Sequence, residues 1–205
     1  MRVVVFDAMG VIYRAWDDLA ELLIPFALEH GSRLSGEEIG AVYRRAMIGE
    51  LTTSELWTQL GVAGDPTDLD RTYLAGHRTV PGMVELLDDL RDQGIWLGCI
   101  SNDVAEWSRA LRVQHGLDRR ISHWTVSGEV RARKRDERIY RAFLAATGFH
   151  PEMVTFIDGR TRNVNAAAAL GFDTILVDFA GVGGDPASVR SVEELRGVLT
   201  RSISP

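Results

Sequence analysis

From residue 82 onward, short β-branched apolar runs alternate with amphipathic helical segments, and one more such run stands at the N-terminus. That alternation limits the chain more than any other feature. It is the pattern of a parallel sheet whose strands are covered by helices on both faces. The runs are residues 2–6 (RVVVF), 95–100 (IWLGCI), 123–126, 153–157 and 174–177. They read as continuously apolar, as strands buried on both sides do. Helices are predicted between them over 83–93, 104–114, 136–147 and 162–170. A last helix, capped by Ser191 with Glu194, runs to about Thr200.

Residues 16–77 break the alternation and read as purely helical. Leu19, Leu22, Leu23, Phe26 and Ala27 fit one helix face. Ser35 with Glu38, and Thr52 with Glu55, are spaced as capping boxes. Gly61 fits a helix C-cap, and Asp65-Pro66 opens a fourth helix. The expected architecture is therefore α/β: a Rossmann-like parallel-sheet core from residues 1–15 and 79–205, with a helical cap, residues 16–78, inserted after the first strand.

Composition narrows the functional classes. The formal net charge of −6 is not the footprint of a general nucleic-acid binder. Cys99 is the only cysteine, so neither an internal disulfide nor a cysteine-based zinc site can form. No apolar run approaches the length of a membrane span, and residues 2–6 are too short for a secretory apolar core. A cytoplasmic protein acting on a small molecule is expected, with neither nucleic acid nor membrane as partner.

In a parallel sheet, ligands bind beyond the carboxyl ends of the strands. Asp7 follows the first strand, Ser101, Asn102 and Asp103 the second, and Asp158 the 153–157 run. Lys134 lies in a connection leading back to that edge. It is the only lysine among 23 lysines and arginines. A lysine kept in so arginine-rich a chain suits a position that needs a compact point charge.

These residues give the chain a recognisable likeness. VVVFDAMGVI, CISN, RKRDERIY and VTFIDGRTRNVNAAAALGF, in that order, resemble the four motifs of the haloacid dehalogenase superfamily, in its phosphatase-rich, capped branch. The resemblance implies that Asp7 is a nucleophile and that the substrate is a small anion, most often a phosphorylated metabolite. It implies that Ser101 and Asn102 bind the anion and that Lys134 offsets its charge. It also implies a magnesium ion held by the Asp7 side chain, the Met9 carbonyl and an acid of the fourth motif, here Asp158.

Two departures qualify that expectation. Phosphatases of the family carry a second aspartate two residues after the nucleophile, as acid and base. Here the position is Met9, which does neither. The fourth motif reads Asp158-Gly159, with glycine where the strongest metal ligand is common. Adjacent residues at a strand end face opposite sides. Asp158 is therefore expected to aim away from the metal position unless the backbone shifts. Two alternatives remain beside the phosphatase: a catalytically degenerate member that binds a ligand or partner, and a metal-free 2-haloacid dehalogenase.

Of the two arginines on a cap helix, Arg44 and Arg45, Arg45 is the candidate to pair an anionic group of the substrate. Phe26, Tyr43 and Trp57 read as cap core. His77, near the return from the cap, is a candidate replacement for the missing acid. The arginine-rich run over 109–141 reads as solvated helix faces.

Overall fold

A computed structural model describes residues 2–203. Five strands form one parallel sheet: β1 (Val3–Phe6), β2 (Trp96–Ser101), β3 (His123–Val126), β4 (Val154–Asp158) and β5 (Asp173–Leu176), in the order β3-β2-β1-β4-β5. The chain leaves β1 toward β2 and β3, then returns to the other side of β1 with β4 and β5. The strand order therefore reverses at the β1/β4 boundary, where open α/β sheets bind ligands.

All four residues of β1 are buried, and their side chains alternate between two cores. Val4 and Phe6 join the larger cluster. Val3 and Val5 join a second, with Tyr140, Phe143, Phe156 and Phe172. The helices over the two faces include α5 (Met83–Asp92), α6 (Ala105–Gln114), α8 (Glu137–Thr147) and α9 (Thr161–Ala168). The final helix, α10 (Val192–Ile203), packs against α5.

Between β1 and α5 lie four helices: α1 (Ile24–Glu29), α2 (Gly36–Ala46), α3 (Thr53–Leu60) and α4 (Pro66–Leu74). Both capping boxes form. Ser35 and Thr52 accept from the amides of Glu38 and Glu55, whose side chains reach back. The expected continuous first helix instead begins with a widened turn over Leu19–Leu23, where the Ile24 N–H donates to the Leu19 carbonyl. Pro25 supplies the reason: it has no N–H to continue the regular ladder, so the preceding turn loosens.

The helical layer is joined to the sheet layer by aromatic packing. Trp107 on α6 lies 4.5 Å from the Tyr73 ring and 5.4 Å from the Trp57 ring, between centroids. Asp70 on α4 accepts from both indoles, Trp57 Nε1 at 2.8 Å and Trp107 Nε1 at 2.6 Å. A short helix, α7 (Ser127–Val130), follows β3 and was not legible in the sequence pattern. No helix among the described residues is long and apolar enough to cross a membrane.

Candidate active site

The pairing of β1 with β4 builds the site. Phe6 stands opposite Ile157, so the next residues, Asp7 and Asp158, fall side by side, and the Asp7 N–H donates to the Ile157 carbonyl at 2.8 Å. Alternation puts Asp7 on the face of Val5 and Asp158 on the face of Phe156, both in the second core. Asp158 thus stands beside Asp7 with its carboxylate on Lys134. The register, not the order of residues within the fourth motif, decides which way it points.

The Lys134 chain rises from that same face, its Nζ 5.9 Å from the centre of the Phe156 ring. Its ammonium binds Asp7 Oδ1 and, at 2.8 Å, Asp158 Oδ2. All three residues are buried. The Lys134 amide donates to Asn102 Oδ1 at 2.8 Å, which ties the loop after β2 to the lysine. Asp158 is held further by the Arg160 amide and by Asn163 Nδ2, which donates to both carboxylate oxygens.

One cation against two carboxylates leaves the cluster short of positive charge. Burial first, then repulsion from Asp158, raises the Asp7 carboxyl to about 7, although Lys134 pulls the other way. Burial alone would lower Lys134, but Asp158 and Asp7 outweigh it and its ammonium is held above its usual value. Asp7 Oδ1 accepts from the Ala8 amide and from Lys134, whereas Oδ2 accepts no hydrogen bond among the described residues. That second oxygen is left without a donor among them.

A cavity of about 200 Å³ opens over Asp7. Arg44, Arg133, Arg160 and Arg162 line it together with Lys134, Asn102 and Trp16. Burial, then the like charges of Arg135, Arg162 and Arg44, lowers the Arg133 guanidinium, and burial with Arg135 and Arg160 lowers Arg162. An entering anion relieves that mutual repulsion. Ser101, at the end of β2, is 1% exposed, and its Oγ has no hydrogen-bond partner.

Arg45 is a correction. It lies outside the cavity, half exposed, with its guanidinium on Glu50 and Gln59. Its neighbour Arg44 lines the cavity instead, because successive helix residues point about 100° apart. His77 is not on the cavity wall either. Its Nε2 pairs with Asp18 Oδ1 at 2.9 Å, in a buried network that Tyr43 and Tyr73 complete through their hydroxyls. Arg133, Arg160 and Arg162 were missed as site residues. The only signal for them was their place beside Lys134 and just after Asp158.

The residues present do not fit a magnesium ion. Magnesium demands octahedral oxygen coordination. Asp158 spends its oxygens on Lys134, Asn163 and the Arg160 amide. At position 159, a β-carbon would meet the Trp16 ring, 2.9 Å from Cη2 and closer to Cζ3. Only Asp7 Oδ2 and the Met9 carbonyl remain of the expected donors. No cluster of three metal-binding side chains of the histidine, cysteine or carboxylate type exists among the described residues.

The family model described as haloacid dehalogenase-like hydrolase matches residues 1–171. Among curated proteins, the (S)-2-haloacid dehalogenase 4A of Burkholderia cepacia is 24% identical over 230 residues, covering 100% of this chain and 97% of the relative. A phosphatase structure of the same family from Thermococcus onnurineus superposes with a TM-score of 0.76 at 21% identity, covering 97% and 98% of the two chains. A family enzyme of Bacteroides thetaiotaomicron, crystallised as a magnesium complex, gives a TM-score of 0.73 at 18% identity, covering 91% and 96%.

Proposed function

We propose a function for a chain that belongs to the haloacid dehalogenase-like hydrolase family: Asp7 attacks a small anionic substrate and displaces a leaving group that departs as a stable anion. The observation that carries this reading is the unequal treatment of the two Asp7 oxygens. Oδ1 is fixed by Lys134 and the Ala8 amide, Oδ2 accepts no hydrogen bond among the described residues, and Asp7 lines the cavity. A bond forms from Oδ2 to the electrophilic atom as the bond to the leaving group breaks, the electron pair going with the leaving group. Water then cleaves the covalent adduct, an acyl phosphate for phosphoryl transfer and an ester for attack on carbon, giving its hydroxyl to one fragment and its proton to solvent, and Asp7 is restored.

Met9 selects the leaving group. It cannot supply a proton, so alkoxides from simple phosphomonoesters are disfavoured by the usual contribution of acid catalysis, about 10²–10⁴-fold. An acyl phosphate meets the requirement, since its carboxylate departs unprotonated. The Asn102 amide supplies a donor for the phosphoryl oxygens and the arginines offset its charge, whereas Ser101 is not among the residues lining the cavity. A second reading, halide release from a 2-haloacid, rests on Met9 and on the donor set that does not suit magnesium. The magnesium expected from the resemblance, with Asp7, Met9 and Asp158 as ligands, is not part of this proposal. The helical layer, residues 16–78, acts as the cap, contributing Arg44 and Trp16 to the cavity wall.

The test is a panel of acyl phosphates, phosphomonoesters and 2-haloacids, with phosphate and halide release measured for the wild type and Asp7→Asn. The proposal expects turnover of one stable-leaving-group class, lost in the variant, with an Asp7 adduct trapped by mass spectrometry. Turnover that survives Asp7→Asn overturns it. Ligand binding without turnover on any class supports the degenerate, binding-only alternative.

A further inference from the structure

We propose that this site works without a divalent cation because the protein's own side chains fill the space such an ion would need: the Lys134 ammonium between Asp7 and Asp158, and the Trp16 indole over Gly159. The inference deepens the reading of Asp7 as nucleophile, but its binding arm stands independently of turnover.

The oxygen inventory comes first. A carboxylate offers about four lone-pair sites. Those of Asp158 meet Lys134 Nζ at 2.8 Å, the Arg160 amide at 2.8 Å, and Asn163 Nδ2 at 3.1 and 3.0 Å. An ion would have to displace at least one of these, in a pocket where Asp158 is 0% exposed. The shared position between the two carboxylates already holds a cation, and a second one there is repelled.

The indole is the second observation. Trp16 rests on two glycines. A β-carbon at Gly10 would lie 3.0 Å from Trp16 Cε3, and one at Gly159 would collide with the far edge of the ring. Gly10 has φ +78°, which favours glycine on backbone grounds alone. Gly159 is not among the positive-φ glycines, so its backbone tolerates a side chain and only the ring excludes one. The ring is held by Arg160, whose guanidinium stacks on it at 5.3 Å and donates from Nη2 to the Trp16 carbonyl at 2.9 Å. The same contact fixes a guanidinium on the cavity wall. Fixed monovalent charges, Lys134 and Arg160, thus stand where a hard divalent ion would otherwise offset the substrate's charge.

The test measures binding of magnesium, and of manganese as its paramagnetic substitute, to the full-length wild-type protein, by titration calorimetry and by the free-manganese resonance signal. The expected result is no saturable binding through the millimolar range and no shift in Tm. The double variant Trp16→Ala/Gly159→Asp is expected to gain a magnesium-dependent rise in Tm, whereas Gly159→Asp alone loses stability without gaining one. Saturable metal binding by the wild type, or turnover abolished by a chelator and restored by magnesium, overturns the proposal. If the double variant fails to fold, the wild-type titration still decides. Metal-dependent turnover lost in Asp7→Asn would refute this inference and leave the nucleophile standing. Metal-free turnover surviving Asp7→Asn would do the reverse.

Discussion

Asn163 Nδ2 donates to both oxygens of Asp158, at 3.1 and 3.0 Å, and so fixes the carboxylate that Lys134 also binds. The fixed acid in turn holds the ammonium against Asp7. In the reaction proposed above, Asp158 would therefore act through Lys134, as a positioning residue.

Removing the ammonium leaves two buried carboxylates without a counter-charge. Lys134→Met is expected to cost about 3–5 kcal/mol of stability near neutral pH. The cost should shrink in acid, where the raised Asp7 carboxyl takes up a proton and one of the two charges is lost. Urea unfolding at two pH values checks this, and an equal loss at both contradicts the charge argument.

The raised Asp7 carboxyl sets a pH dependence. In the proposed reaction Asp7 attacks only when deprotonated, so kcat/KM is expected to rise as pH climbs through about 7. Burial is the main cause of the shift and Asp158 the second. Asp158→Asn should therefore move the rising limb to lower pH while lowering the plateau, because Lys134 loses a partner. A limb near the ordinary aspartate value in the wild type would contradict the assignment.

The arginines should act on binding. Arg133→Ala removes a guanidinium from the cavity wall and is expected to raise KM by roughly 10- to 100-fold, with much less change in kcat. Arg45→Ala, outside the cavity, is expected to leave KM unchanged. Steady-state kinetics on the two variants separates the neighbouring arginines.

Asp103 offers a stability test away from the reacting atoms. It is 1% exposed, its Oδ2 has no hydrogen-bond partner, and burial followed by repulsion from Asp18 pushes its carboxyl well above the usual range. Between the ordinary aspartate value and that raised one, the folded state holds a proton the unfolded chain has released. Stability then falls as pH rises through this window, by up to about 1.4 kcal/mol per pH unit. Asp103→Asn should flatten the slope of stability against pH, and an unchanged slope would show that another group dominates.

The indole of Trp107 joins the two layers. Trp107→Ala removes a buried ring together with its hydrogen bond to Asp70 and is expected to cost about 3–5 kcal/mol. Faster proteolysis within residues 16–78 should accompany the loss. A variant as resistant as the wild type would show that the remaining contacts suffice.

Sequence alone determined what depends on near neighbours in the chain. The apolar runs placed all five strands within a residue or two. The Ser35/Glu38 and Thr52/Glu55 boxes formed because each needs only two residues three positions apart. The gathering of Asp7, Asn102, Lys134 and Asp158 was legible because a parallel sheet brings its strand ends to one edge, and the lone lysine marked itself by its rarity. Tertiary structure decided the directions. Strand register turned Asp158 toward Asp7, helix rotation chose Arg44 over Arg45, and an indole arriving from residue 16 accounted for the glycine at 159. Each of these depends on where a distant segment comes to rest, and a linear pattern carries no information about the angle at which two elements meet.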